Sequence, residues 1–530
     1  MMKLEMNLIK MPRLRKGKFS IFFCVDDAIA TIAAYYQRSY EYMYRDALYY
    51  RYDKKNEYIG KSIYVPYLFQ KQLRECCGIT MEFQNHTEHP YDLVKKELDA
   101  KNPVFMAINA YYCPWDWRYG EIEDGGHAII LNGYDEQNQS LLCIDPYYDQ
   151  IDLVLPLHLF SKGIMQIATF RKENYDKNID NESFLQESLQ NMVDKPFYSD
   201  AEKLAADIGQ NFLFEYEISN YDPLEEISGE EMSKRVALEA AFTALSNNRQ
   251  RYAVMLKLIG EKSPGLKDMT IGAIDRLIAF AEQWDMLRYM IMKGIMLKKA
   301  SVITEYAPEK IKIIALSEKE YFEELVENKE KGLWRMASDR TCDEQLTISE
   351  IFHYELNQFC NNEGIGDFEN TSANLNDKGD YFLLDDFSEK MSFLDMSFQV
   401  SGLHNGKADN VICQGQKLKV LPDYYIACVI LGCSDFGQCI DRVRFVYEDG
   451  KEEECRIEMP EWQPELQYGE PEGTAFVLRS VECYEGSKSI NSDGKRLYVR
   501  KLKLNQEKRL ISLMLPQTPC LHIFSLFLAK

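Results

Sequence analysis

The sequence predicts an α+β chain in three parts: mixed α/β over residues 1–172, helical over 173–345, and an antiparallel β-sandwich of jelly-roll type over 346–530. Three observations predict it. Strand-length apolar runs alternate with helix-spaced stripes in the first third, and long stripes at spacings of three and four fill the middle. Short alternating runs separated by Asp-Gly turn signals fill the rest. At about 100–200 residues per domain, a length of 530 residues allows three or four domains.

The elements follow in order. A helix begins at Cys24, because Ile29, Ile32, Ala33 and Tyr36 fall at i, i+3, i+4 and i+7. A tyrosine-rich stretch follows over 35–52, then a helix near 92–98 that Asn102-Pro103 stops. Buried strands are expected over 104–110, 127–133 and 141–144. In the middle third, Leu238, Phe242, Leu245, Arg249, Tyr252, Leu256 and Ile259 make a heptad-like seam with one polar position, ending at Gly260 as a C′ glycine. Beyond Pro264-Gly265 a second stripe, Ile271, Ile274, Leu277, Ala281 and Trp284, predicts an antiparallel partner helix. The sandwich strands are expected over 425–432, 443–447, 475–478, 497–502 and 510–515, with turns at Asp449-Gly450 and Asp493-Gly494.

Composition excludes whole classes of function. Hydrophobic residues at 46% and charged residues at 28% are those of a folded chain. Lys+Arg count 62 against Asp+Glu 84, a net charge of −22, so no nucleic-acid partner is expected. No apolar run approaches the 18 or so residues of a membrane span, and no membrane partner is expected. A basic cluster, Lys10, Arg13, Arg15, Lys16 and Lys18, precedes an apolar run too short for a signal-peptide core and cut off by Asp26 and Asp27. The expected location is therefore cytoplasmic, with the 14 cysteines reduced. Without a C-x-x-C pair, and with seven scattered histidines, no metal site is expected.

A cysteine nucleophile needs a thiolate-favouring position, a base, a group that orients the base, and donors for the oxyanion. Cys24 stands where a helix begins, where dipole and free N–H groups favour a thiolate, although Asp26 and Asp27 oppose it. His127 opens a strand after Gly125-Gly126, which lets backbone or substrate approach the imidazole. The next strand ends at Asp145-Pro146. A hairpin centred at residue 136 sets His127 directly opposite Asp145, within reach to fix its tautomer. A helical cysteine or a strand histidine is by itself ordinarily a packing residue. Only the joint placement points to chemistry.

That order, Cys24, then Gly-Gly-His127 with an apolar strand and Gly133-Tyr134-Asp135, then Asp145-Pro146, resembles the papain-like fold over about residues 15–172. Within it, the region looks like the C39 peptidases and the butirosin-biosynthesis acyltransferase group (the BtrH N-terminal type). The resemblance implies Cys24 as nucleophile, His127 as base and Asp145 as its orienting group. Papain-like peptidases place a Gln six residues before the nucleophile, where this chain has Lys18, and the Asp-Cys-Gly of C39 enzymes is replaced by Phe23-Cys24-Val25. The implied activity is therefore that of the biosynthetic group. It moves an acyl group from a phosphopantetheine-bound thioester on an acyl or peptidyl carrier protein, through acyl-Cys24, to a small-molecule amine, with no other cofactor. A C39-like peptidase and a non-catalytic binding protein on the same scaffold are the alternatives.

The loop from Cys113 to Tyr119 is expected to wall the cleft, with Trp115, Asp116 and Trp117 binding substrate. Asp116, or Glu121, Glu123 and Asp124, would attract a cationic amine. Lys10 to Lys18 would meet an acidic carrier that the chain's bulk charge repels. The last third, with Asp409-Asn410-Val411, Gly432-Cys433-Ser434-Asp435 and His522-Ile523-Phe524, resembles the carbohydrate-binding-like sandwiches appended to glycoside hydrolases. A docking or structural role is expected for it, with Trp462 and His404 as ligand candidates.

Overall fold

The computed structural model describes residues 6–12, 24–54, 58–66, 69–84, 89–121, 125–174, 179–195, 197–217, 236–330, 350–370, 372–394, 396–464, 471–484 and 487–530. Of the N-terminal basic cluster, only Lys10 lies among them.

Strand β1 (Met6–Leu8) precedes helix α1 (Cys24–Tyr35), which buries Ile29, Ile32 and Ala33 of the stripe that predicted it, together with Ala28, while Tyr36, the stripe's last residue, is buried just past the helix end. A short hairpin, β2 (Arg51–Tyr52) and β3 (Ile63–Tyr64), leads to α2 (Gln70–Cys77), β4 (Ile79–Gln84) and α3 (Pro90–Asp99). Then come β5 (Val104–Asn109), β6 (Gly126–Asp135), β7 (Ser140–Asp145), β8 (Gln150–Pro156), α4 (Leu157–Gly163) and β9 (Ile164–Lys172). The sheet order is β4-β9-β5-β6-β7-β8, with β1 added to the end of β6. Gly133 makes that addition possible, since a Cβ there would meet the Asn7 carbonyl at 2.4 Å.

In the helical layer, the helices Ala237–Lys262 and Lys267–Met296 pack as an antiparallel pair across the Pro264–Leu266 turn. Gly260 does not end the first helix, which continues to Lys262. A Cβ at Gly260 would lie 2.3 Å from Thr270 Oγ1, so its glycine serves close helix packing instead. Arg249, the polar position of the seam, is buried in a two-pronged pair with Glu318 at 2.7 Å for each prong. The Trp284 indole N–H donates to the same carboxylate at 2.9 Å.

The last third is a sandwich. An eight-stranded sheet runs in the order Ile351–His353, Gln517–Ala529, Ala427–Ser434, Ser487–Lys503, Thr474–Tyr484, Tyr381–Leu383 and Ile365–Gly366, with Val411–Gln414 also on Gln517–Ala529. It packs on a four-stranded sheet of Lys417–Tyr424, Arg509–Met514, Cys439–Tyr447 and Glu452–Met459. The Asp449-Gly450 turn forms, whereas Gly494 lies inside the strand Ser487–Lys503. There the register against Thr474–Tyr484 shifts, so the Asp-Gly signal marks a bulge rather than a turn. Trp462 is buried under Lys495 and against Phe382, so it offers no surface to a sugar; His404 is exposed.

One apolar cluster extends from Ala28 to Ala529, through all three parts. Polar contacts fasten the joins. The Glu217 carboxylate accepts the Ile59 and Gly60 N–H groups, and Tyr42 donates to Asn181 at 2.7 Å. Buried Lys293 donates to Asp435 at 2.6 Å and to the Pro519 carbonyl at 3.0 Å, tying helix to sandwich. Among the described residues no helix is long and apolar enough to cross a membrane.

Candidate active site

Three element ends converge at the start of β6. Cys24 is the first residue of α1, His127 the second of β6 and Asp145 the last of β7. The β6–β7 register decides whether the last two meet. Next to the turn, Tyr134 pairs with Leu141 and Gly133 with Leu142. Continued unbroken, that register would put Asp145 opposite Ile130, on the other face from His127. A bulge between Leu131 and Gly133 resets it, pairing Leu131 with Cys143 and Ile130 with Ile144. Asp145 then falls opposite Ile129, two residues from His127 and on its face. The pair is diagonal rather than directly opposed as expected, and the side chains span the offset.

His127 Nε2 and Asp145 Oδ2 are 2.6 Å apart, with the two side chains 2% and 0% exposed. A carboxylate oxygen accepts, so Nε2 donates to Asp145, and the imidazole also bonds the Cys24 side chain. Burial works against charge on His127, but its bonds to Asp145 and Cys24 and their charges outweigh it and push its pKa up to about 10. Tyr147 and Tyr148 set their rings against the imidazole at 5.7 and 5.4 Å.

The Cys113–Tyr119 loop lies beside the pair, but its residues are spent differently from the expectation. Trp115 points its indole N–H at Asp145 Oδ2, 2.7 Å away. Asp116 is buried: Oδ1 accepts from Arg118 N and Nε at 2.9 and 2.8 Å, and Oδ2 from Arg118 Nη2 at 2.8 Å and Tyr148 Oη at 3.2 Å. Burial opposes its charge, yet the Arg118 bonds hold its pKa below the usual carboxylate value. With that many donors already in place, Asp116 is a poor receptor for a substrate ammonium. Gly125 makes room for the arrangement, since a Cβ there would lie 2.9 Å from Arg118 Nη1. Trp117 is the most exposed of the three, at 59%, with Trp115 half-buried. Glu121 is exposed, and Glu123 and Asp124 lie outside the described residues, as does Lys18.

A further group comes from far along the chain. Arg251 of the Ala237–Lys262 helix reaches α1 and bonds Asp26 at 2.5 Å, with Tyr44 donating to the other Asp26 oxygen at 2.8 Å. The carboxylate that opposes a thiolate at Cys24 thus has a cation against it. No local signal marks Arg251, because only the packing of helix on helix brings it here. The Tyr147-Tyr148 pair was nearer to hand, directly after Asp145-Pro146. Among the described residues no cluster of three or more His, Cys, Asp or Glu is arranged to hold a metal ion.

Residues 24–154 match the model of the Peptidase_C39 like family. The matched segment begins at Cys24 and contains His127 and Asp145, and it supports a papain-like cysteine-enzyme scaffold for the C39-like region. Residues 353–530 match the AziU2-like β-sandwich domain. No curated protein matches the chain. Among solved structures it is similar to BtGH115A, a 4-O-methyl-α-glucuronidase with specificity for decorated arabinogalactans, at 11% identity and a TM-score of 0.14. That likeness covers 65% of this chain and 38% of the glucuronidase, and carries no argument about fold or function.

Proposed function

We propose that this chain is a cytoplasmic cysteine acyltransferase that forms amides in secondary-metabolite biosynthesis, moving an acyl group from a carrier-protein thioester to a small amine. The observation that carries the reading is the continuous line of contacts from Cys24 through His127 to Asp145. In the first half-reaction the Cys24 sulfur attacks the thioester carbonyl and the bond to the phosphopantetheine sulfur breaks. His127 gives its proton to the departing thiol. In the second, the amine attacks the acyl-Cys24 carbonyl, His127 takes the amine proton, and the Cys24 sulfur leaves. Thioester exchange is nearly balanced in free energy, so the first half asks less of an oxyanion hole than amide cleavage does. The burial of the His127 and Asp145 side chains, with the half-buried Tyr148 ring against the imidazole, keeps water from one side of the site and favours an amine in the second.

The C39-like match favours a second reading, peptide hydrolysis by the same three residues. One experiment addresses both. Cys24 should react with iodoacetamide faster than the other thiols at about pH 6.5, below the ordinary thiol pKa of about 8.5, and His127→Ala should abolish the advantage. An enzyme acylated on Cys24 should then partition to added amine over water. Preference for water would transfer the proposal to hydrolysis, and an unreactive Cys24 would end both readings.

A further inference from the structure

Asp145 is surrounded by more donors than an orienting carboxylate requires. Oδ2 takes His127 Nε2 at 2.6 Å and the Trp115 indole N–H at 2.7 Å, while Oδ1 takes the Tyr148 backbone N–H at 3.2 Å. The carboxylate is wholly buried, so water cannot replace any of these. Trp115 is held for the purpose. Its loop leaves β5 through a 3-10 turn whose Asn109 side chain accepts from Tyr111 N at 3.0 Å, and the buried Cys113 anchors it from below. One residue on, the Asp116–Arg118 pair locks the loop to Tyr148. The same loop therefore grips the Asp145-Pro146-Tyr147-Tyr148 turn at two points.

We infer that Trp115 is a positioning residue of this site, not a substrate contact: by bonding the Asp145 oxygen that also receives His127, its indole N–H sets how much carboxylate charge the imidazole feels. A donor on a shared acceptor oxygen draws off electron density and weakens the other bond's pull on its proton. Removing it should strengthen Asp145's hold on the imidazolium while leaving the ring packing in place. The inference rests on the Cys24–His127–Asp145 reading, and its test is separable from that reading.

The test uses the full chain, isotope-labelled on tryptophan and histidine, with five and seven such residues to assign. In the wild type the Trp115 indole resonance should follow the ionisation of the His127 ring with a common midpoint. In Trp115→Phe, which keeps an aromatic ring and loses the N–H, that midpoint should rise by about 0.5–1 pH unit. A pure packing role would leave the midpoint where it was, and that result overturns the inference. If Trp115→Phe does not fold, the wild-type indole titration decides alone, because an indole blind to His127 ionisation also overturns it. Cys24 alkylation on the same samples tests the catalytic reading separately.

Discussion

Replacing Arg251 by Met should strip the buried Asp26 carboxylate of its cation, two residues from Cys24. Both side chains are nearly dry, at 2% and 4% exposed, and their atoms stand 2.5 Å apart. Breaking such a pair by removing one partner costs about 3–5 kcal/mol, because the remaining charge stays buried. The Tyr44 hydroxyl stays on Asp26 at 2.8 Å and offsets part of this, so we expect about 3 kcal/mol. At about 1.4 kcal/mol per factor of ten, the fraction of molecules open in this region should rise by about a hundredfold. A local probe suits a chain of this size, where global unfolding need not be two-state. Cys76 and Cys77 are buried at the end of α2, the helix capped at its start by Phe69, over whose ring the Arg251 guanidinium lies at 5.9 Å. Their alkylation in low urea, resolved by mass spectrometry, reads local opening. Asp26→Asn combined with Arg251→Met should recover most of the loss. An Arg251→Met protein within about 1 kcal/mol of wild type, or a double variant no better protected than the single, would refute the reasoning.

Three further outcomes follow from buried groups elsewhere. The pKa of His127 is raised from 6.5 to about 10, so the stabilisation its imidazolium gains is complete below about pH 6.5 and is lost as pH climbs through about 10. The melting-temperature gap between wild type and Asp145→Asn should close over that window. Asp409 is pushed up from 3.8 to about 7, chiefly by burial, so the folded sandwich holds a proton the unfolded chain has released. Stability should fall as pH rises from about 4 through 7, and Asp409→Asn should flatten that dependence in urea titrations. Finally, Gly260→Ala should destabilise the helical layer by about 1–3 kcal/mol through its clash with Thr270, and Thr270→Ala in the same chain should restore most of it, as read by thermal unfolding.

Periodicity determined the first helix and the long helical pair of this protein. Ile29, Ile32 and Ala33 lie on the buried face of α1, and the Leu238–Ile259 seam is the buried face of its helix, because a 3.6-residue repeat has one way to bury its apolar side. Chain order also placed Cys24 at a helix start and His127 and Asp145 on adjoining strands, since the four-residue turn of 136–139 leaves little freedom in how they pair. What tertiary structure decided is the parity of that pairing and the charges around it. The bulge between Leu131 and Gly133 is invisible in the alternation, yet it returns Asp145 to the face of His127. Asp116 reads as a free carboxylate until the loop folds back and gives it Arg118, and Trp115 reads as a cleft wall until it turns its N–H to Asp145. Arg251 reaches Asp26 across 225 residues. Local propensity acts over a few residues, whereas the desolvation that makes a charge need a partner is set by everything packed around it.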